Sequence, residues 1–147
     1  MWGIIPQFPI KTMKGGAAVT GQYAHNIDAK GRLFIPARLR EELGQTFHVT
    51  VGLDHCLSIY SDESWAAYSK AKALRPLFAN AVDCEPDAQG RILIPTKLRE
   101  YAGLQKEVVV IGSFDRAEIW NAERWAREEA MAFDSGSLEQ AMEEMGL

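Results

Sequence analysis

Two aspartates each stand four residues before an arginine, and this pattern has the clearest chemistry in the sequence. The pairs are Asp28 with Arg32 and Asp87 with Arg91. A guanidinium group is a planar fork of donors that can clamp a phosphate or the O6 and N7 atoms of guanine, and an aspartate across a turn can orient it. The same spacing is also typical of an internal salt bridge that pins a turn, worth only about 0 to 1 kcal/mol when exposed. Both roles are compatible with one arginine.

More basic residues lie beside these pairs. Lys30, Arg38 and Arg40 share eleven residues with Arg32, while Lys97 and Arg99 follow the second pair. Such runs are usually a solvated face. Next to an arginine fork, however, we expect phosphate contacts, which position a protein on nucleic acid without reading its sequence.

Residues typical of catalysis or metal binding are present without the spacing that either needs. The three histidines, His25, His48 and His55, are scattered, and Cys56 and Cys84 form no C-x-x-C pair. No nucleophile has a recognisable motif around it, and no glycine-rich phosphate loop is present. We therefore expect no catalytic residue, no metal and no cofactor, with the histidines structural and the cysteines buried and reduced.

Charge is unevenly distributed along the 147 residues. The chain has 16 basic and 20 acidic residues, a net charge of −4. Residues 113–147 hold nine acids and three bases, a net charge of −6, which leaves +2 for residues 1–112. This segregation is typical of a local basic patch beside an acidic, solvating tail. No apolar run approaches the roughly 20 residues that span a bilayer, so we expect a cytoplasmic protein without a membrane partner.

The chain contains an internal duplication. Residues 28–41 match residues 87–100 at an offset of 59 without a gap, and nine of the fourteen positions are identical. After one inserted residue the match continues, with Val51-Gly52 parallel to Ile111-Gly112 and Trp65 parallel to Trp125. Two copies are too few for a stacked solenoid, so we expect them to combine into one domain.

Each copy predicts the same order of short elements. Residues 22–27 and 80–85 predict a strand, and a turn with Asp and Gly leads to a second strand, 32–35 or 91–94, as in a hairpin. A helix over 37–43 or 96–102 follows a proline and ends at a glycine. Two further strands, 46–51 and 57–60 or 107–111 and 117–120, precede a helix that begins near Ser61 or Asn121.

A β-rich α+β fold follows, with short flanking helices. Lone hairpins leave unpaired edges, so we expect the two copies to pair about a pseudo-twofold axis and close into a small β-barrel. The predicted core comprises eight apolar strand residues: Leu33, Ile35, Val49, Val51, Ile92, Ile94, Val109 and Ile111.

The segments 21–36 and 87–95 closely resemble the MraZ family of bacterial transcriptional regulators, within the wider group of AbrB-like swapped-hairpin DNA-binding domains. The family's mark is an Asp-x-x-x-Arg motif in each of two halves, and both copies are intact here. The resemblance implies a swapped-hairpin barrel and a ring-shaped homo-oligomer. It also implies a repressor that binds short direct repeats in double-stranded DNA upstream of a division and cell-wall gene cluster.

The DNA-contacting region of the family corresponds to both turns. Together with the charge pattern, it gives the candidate DNA-binding residues Asp28, Lys30, Gly31, Arg32, Arg38, Arg40, Asp87, Arg91 and Lys97. Gln89 replaces Lys30 in the second copy, which lowers its charge and favours the first copy as the DNA face. Met13 is an alternative start, because family members usually begin close to the first motif.

The expected organisation has four parts: a disordered extension, residues 1–14; a first repeat, 15–79; a second repeat, 80–134, completing the barrel; and an acidic tail, 135–147. We expect association with the nucleoid and no small-molecule substrate. The alternative function is a non-catalytic assembly scaffold or protein-partner module that uses the same barrel.

Overall fold

A computed structural model of the chain describes residues 18–147. The predicted extension, residues 1–14, lies outside the described residues. The described part has eight strands and six α-helices, which match the predicted elements to within two residues wherever an element was predicted. In chain order they are β1 (Gln22–Asn26), β2 (Arg32–Phe34), α1 (Ala37–Leu43), β3 (Phe47–Val51), β4 (Leu57–Tyr60), α2 (Asp62–Ala67), α3 (Arg75–Ala79), β5 (Val82–Cys84), β6 (Arg91–Leu93), α4 (Thr96–Tyr101), β7 (Glu107–Gly112), β8 (Ala117–Asn121), α5 (Ala122–Asp134) and α6 (Ser137–Glu144).

The helix that closes each copy begins at a side-chain cap. Ser61 Oγ accepts a hydrogen bond from the backbone N–H of Ser64 at 3.3 Å, and Asn121 Oδ1 accepts one from Arg124 at 3.1 Å. Each cap satisfies a backbone donor that the helix leaves without a partner, and acids in the first turn complement the helix dipole. The predicted helix starts are therefore confirmed, and the acidic tail contains α6.

The two copies exchange strands. β1 of the first copy pairs antiparallel with β7 of the second, and β5 of the second pairs with β3 of the first. β4 pairs with its own counterpart β8, and β2 with its counterpart β6. The prediction that the strands flanking each turn form a hairpin is therefore wrong. The backbone N–H and C=O groups of β2 bond to β6, and those of β1 bond to β7, so each turn connects two different sheets.

The predicted closed barrel does not form. The main sheet has six strands in the order β1-β7-β8-β4-β3-β5, so its edge strands β1 and β5 are separated by four others. β2 and β6 form a separate two-stranded ribbon. Because each ribbon strand pairs with its counterpart and not with β1 or β5, the edges of the six-stranded sheet are not joined into a barrel. The architecture is a mixed α/β fold in which a short ribbon packs on a larger sheet.

The hydrophobic core lies between this ribbon and the sheet. Leu33, Ile35, Ile92 and Ile94 are at most 1% exposed and belong to one cluster with Val49, so these five predicted core residues are confirmed. Val51 is only partly buried and packs against that cluster. Ile111 is also buried, as predicted, but it lies in a second core cluster with Cys56 and Trp120, against which the partly buried Val109 and Trp125 pack.

The strand pairing explains why Val109 and Ile111 lie in a different cluster from Val49. Val49 pairs with Ile59, and Val110 pairs with Ile119, the counterpart of Ile59. Val49 and Val110 therefore occupy equivalent positions in the structure, whereas the sequence match pairs Val49 with Val109. Because successive side chains of a strand point to opposite faces, a shift of one residue moves Val109 and Ile111 off the core face.

No helix within residues 18–147 is long and apolar enough to cross a membrane.

Candidate nucleic-acid interface

The first turn is built around the carboxylate of Asp28. Its Oδ1 accepts hydrogen bonds from the backbone N–H groups of Lys30 and Arg32, both at 2.9 Å, and its Oδ2 accepts one from Arg32 Nε at 2.7 Å. Backbone bonds between Asp28 and Arg32 and from Gly31 to Asp28 close the turn. One side chain thus sets both the turn and the direction of the arginine.

The second turn repeats this network atom for atom. Asp87 Oδ1 accepts from the backbone N–H groups of Gln89 and Arg91 at 2.9 and 3.0 Å, and Oδ2 accepts from Arg91 Nε at 3.0 Å. Gly90 has φ of +81° and is buried, and a Cβ atom there would lie 2.9 Å from the ring of Phe34. A left-handed conformation and close packing both require glycine at this position.

These hydrogen bonds lower the pKa of both aspartates below the usual value. For Asp28 the largest cause is the bond from the backbone N–H of Arg32, and for Asp87 the bond from the backbone N–H of Arg91. Both carboxylates are therefore ionised at neutral pH. Each holds the Nε edge of its arginine, and within residues 18–147 the terminal nitrogens of Arg32 donate to no acceptor. The arrangement fixes a guanidinium while leaving its outer edge available for a ligand.

Both turns contact the opposite copy through the ribbon. The carbonyl oxygen of Gly31 accepts from the backbone N–H of Ile94, and that of Gly90 accepts from Ile35, each at 2.9 Å. Arg91 Nη1 also lies 3.9 Å from Asp28 Oδ2. The pairing of β2 with β6 places Arg32 and Arg91 on the ribbon face that points away from the core. The two arginines therefore share one outer surface.

Phe34 and Leu93 lie on the same outer face. Phe34 packs against the ring of His25, with 5.2 Å between ring centroids, and Leu93 is 59% exposed. Sequence reasoning did not select either residue. Their positions, two residues after Arg32 and Arg91, could have signalled that they share a face with the arginines, because alternate residues of a strand point the same way.

Arg40 and its counterpart Arg99 tie each short helix to the ribbon. Arg40 Nε donates to the carbonyl oxygen of Ile35 at 3.0 Å, and Arg99 Nε donates to that of Ile94 at 2.9 Å. The guanidinium of Arg40 also lies 5.8 Å from the centre of the Phe34 ring. Both arginines thus have structural partners beside the turns, and Arg40 stays a predicted DNA contact.

The remaining predicted cations lie further apart. Lys30 is exposed at the tip of the first turn, and Lys97 is exposed on α4. Arg38 donates to Thr20 Oγ1 at 3.2 Å and lies 3.9 Å from Glu42. The structure therefore brings Asp28, Lys30, Gly31 and Arg32 into one turn, next to the Asp87–Arg91 turn, while Arg38 and Lys97 project from the two short helices.

The histidines and cysteines have structural surroundings. His48 lies between two carboxylates, 2.7 Å from Asp83 and 2.5 Å from Asp62, and stacks on Trp65. Burial raises the pKa of the Cys56 thiol to about 12 and that of Cys84 to about 11. Among the described residues, no group of His, Cys, Asp and Glu side chains is arranged to hold a metal ion.

Fold and site together define a duplicated chain that carries two aspartate-clamped arginines on an exchanged ribbon. A family model described as "MraZ protein, putative antitoxin-like" matches residues 18–75 and 77–146. The chain belongs to the MraZ family, which confirms the resemblance seen in the sequence.

Curated relatives of this family are similar over most of the chain. A protein of Carboxydothermus hydrogenoformans is 52% identical, covering 71% of this chain and 82% of its own length. One of Caldicellulosiruptor saccharolyticus is 50% identical, covering 86% and 98%, and one of Desulforamulus reducens is 48% identical, covering 84% and 94%. All three are named "Transcriptional regulator MraZ". These proteins are regulators and not enzymes, in agreement with the expectation of a non-catalytic chain.

Proposed function

We propose that the chain is a sequence-specific DNA-binding transcriptional regulator that represses the division and cell-wall gene cluster. The observation that carries the proposal is the pair of aspartate-clamped arginines, Arg32 and Arg91, on one outer face. The regulator names of the relatives support the class. Binding to promoter repeats would occlude transcription, and such a protein would reside in the cytoplasm on the nucleoid.

In this mechanism the Asp28 carboxylate holds Arg32 before DNA arrives. A guanidinium that is already oriented loses less conformational freedom when it donates two parallel hydrogen bonds to guanine O6 and N7. Lys30 at the same turn would contact phosphate, which adds affinity without sequence information. Arg91, with Gln89 in place of a lysine, would contribute more weakly.

One chain presents few cations, so tight binding requires several copies. We propose a ring-shaped homo-oligomer that engages short direct repeats, because linked sites bind with a high effective concentration. Exposed apolar side chains on α5 and α6 support assembly through these helices. They are Met131, Phe133, Leu138 and Met142.

The test is fluorescence anisotropy with full-length protein and duplex DNA from upstream of its own gene, against a scrambled duplex, across a salt series. We expect a preference for the native duplex and a steep loss of affinity with salt. Arg32→Ala should weaken binding about 5- to 150-fold, since a bidentate base contact contributes about 1 to 3 kcal/mol.

The matched control is Arg75→Ala, which removes an equal charge from an exposed position on α3, outside both turns and both helices proposed for assembly. It should leave the affinity unchanged, and circular dichroism should show that both variants are folded. Equal binding to native and scrambled DNA would contradict the proposal and favour the scaffold or protein-partner alternative.

A further inference from the structure

An acidic pocket lies at the end of the first copy, away from the two turns. It has a volume of about 270 Å³ and is bounded by the end of α1, the start of α2 and the β7–β8 loop. No basic residue of the described chain lines it. Five acidic residues do: Glu41, Glu42, Asp62, Glu63 and Asp115. The pocket is therefore suited to a cationic ligand.

Asp62 and Asp115 are held in place by neighbouring side chains. Asp115 accepts a hydrogen bond from the hydroxyl of Tyr68 at 3.0 Å and lies 3.5 Å from Arg116, while Asp62 contacts His48. These contacts fix the two carboxylates at the wall of the pocket, and Arg116 offsets part of the charge of Asp115. The capacity of the pocket for a ligand must therefore come mainly from the acids of α1.

Glu42 on α1 lacks the hydrogen bonds that a buried carboxylate requires. Its side chain is only 10% exposed, and its Oε1 atom is fully buried without a hydrogen-bond donor in the described part of the chain. The nearest cationic atom is Arg38 Nε at 3.9 Å, which is beyond hydrogen-bond distance. An unsatisfied buried carboxylate is costly, so this site gains from a donor that enters the pocket.

The second copy shows what such a donor can be. At the equivalent place, Arg124 Nη2 donates to the carbonyl oxygen of Asp54 at 2.8 Å and Nη1 to that of His55 at 3.3 Å. The counterpart of Arg124 in the first copy is Ser64, whose Oγ donates to the carbonyl oxygen of Asp115 at 3.0 Å. Ser64 reproduces one of the two bonds with a much shorter side chain.

The two copies also differ at the ends of their short helices, α1 and α4. Tyr101 occupies the position equivalent to Glu42, and its hydroxyl donates to the carbonyl oxygen of Gly52 at 2.9 Å. The second copy therefore fills this place with an arginine and a tyrosine of its own. The first copy has a serine and an unsatisfied glutamate there, so its pocket stays open and negative.

We propose that the acidic pocket is a binding site for a guanidinium group, with Glu42 as its principal acceptor. A guanidinium fits because it is planar, carries five donors and occupies the equivalent place in the second copy. A metal ion is less suitable, because no three ligand side chains among residues 18–147 converge at coordinating geometry. This inference does not rest on DNA binding. The guanidinium could belong to an arginine of a second copy or to a free small molecule.

The first experiment is an NMR titration of the full-length, isotopically labelled protein with methylguanidinium. We expect saturable shifts of the amide signals of Gly44, Ser64 and Asp115. Glu42→Gln should weaken binding about tenfold, as expected for loss of a charged hydrogen bond. The matched control, Glu100→Gln, makes the same change at the exposed counterpart of Glu41 and should have no effect.

Ser64→Arg gives an independent test, because it places in the first copy the residue that fills the second. This variant should no longer bind methylguanidinium, and its thermal unfolding should show that it remains folded. Sedimentation velocity then distinguishes the sources. A shift to smaller species in Ser64→Arg, or in wild type with methylguanidinium, indicates an arginine from a second copy, while unchanged sedimentation with retained NMR binding indicates a free ligand.

Several outcomes would overturn the proposal. The pocket is not a guanidinium site if wild type shows no saturable shifts, or if Ser64→Arg binds as wild type does. The pocket and the two turns share no residue, so failure of the pocket proposal leaves the proposed DNA contacts of Arg32 and Arg91 unaffected.

Discussion

The two copies are nearly identical at their turns and differ at their far ends. In the turns, Asp28 and Asp87 accept the same three hydrogen bonds, at distances that agree within 0.3 Å. At the far ends, the second copy is closed by Arg124, whereas the first is left open. The duplication has therefore kept the residues that define the turn geometry, while the residues at the far ends of the two copies have diverged.

The same contrast exists within the turns on a smaller scale. Lys30 and Gln89 each contribute a backbone N–H to the aspartate, and this bond does not depend on the side chain. Their side chains are exposed, so the exchange of lysine for glutamine changes the charge of the surface without changing the turn. Each copy can thus keep the same fold while making a different contribution to binding.

The largest expected effect concerns the shared core. Leu33 and its counterpart Ile92 face each other in the ribbon and are 0% and 1% exposed. Leu33→Ala and Ile92→Ala should each lower the free energy of unfolding by about 2 to 5 kcal/mol, because each removes buried methyl groups and leaves a cavity. Urea denaturation followed by circular dichroism measures both. A loss below about 1 kcal/mol in only one variant would show that the copies do not contribute equally to the core.

The next effect tests whether the charge of the turn sets its share of DNA binding. Exchanging the residues, as Lys30→Gln or Gln89→Lys, should respectively weaken and strengthen binding to the upstream duplex. Each change should alter the slope of log affinity against log salt by about 0.9 per phosphate contact in each chain. Anisotropy at several salt concentrations measures this slope. A slope unaffected by Gln89→Lys would mean that the second turn does not reach the DNA.

The elements and the turns could be predicted from the sequence because their causes are local. An aspartate followed by Gly31 or Gly90 and an arginine specifies the same turn wherever it occurs, and Ser61 and Asn121 cap helices with their own side chains. The site was predictable to the same extent, since Asp28 and Arg32 are four residues apart and meet within one turn. These residues interact with close neighbours in the chain.

The partners of the strands could not be predicted in this way. A strand that follows a turn has the same sequence whether it pairs with its neighbour or with the other copy, so the local pattern favoured a hairpin where the structure has exchange. The one-residue shift between β3 and β7 likewise depends on pairing and not on composition, and it makes Val109 pack against the second cluster. The contact of Arg91 with Asp28 follows from the ribbon and was missed for the same reason.

The smallest expected effect concerns the pKa values of Asp28 and Asp87. It tests whether the contact between Arg91 and Asp28 couples the two turns. Both pKa values are lowered from the ordinary value of 3.8, so the stabilisation of each turn is present above that pH and is lost as the pH falls through the lower value of the folded state. Carboxyl NMR titration should therefore give midpoints below 3.8 for Asp28 and Asp87.

Two substitutions make the comparison sharper. Arg32→Ala should raise the midpoint of Asp28 and leave that of Asp87 unchanged. Arg91→Ala should raise the pKa of Asp87 only modestly, because it removes the side-chain contact at 3.0 Å but keeps the backbone N–H that is the largest cause of the lowered value. It should raise the pKa of Asp28 by less, because that contact spans 3.9 Å. If Arg91→Ala moves Asp87 alone, the turns titrate independently and the ribbon carries no electrostatic coupling between them. A shift at both aspartates would instead show that strand exchange, which brings Arg91 to Asp28, also couples the charges of the two turns.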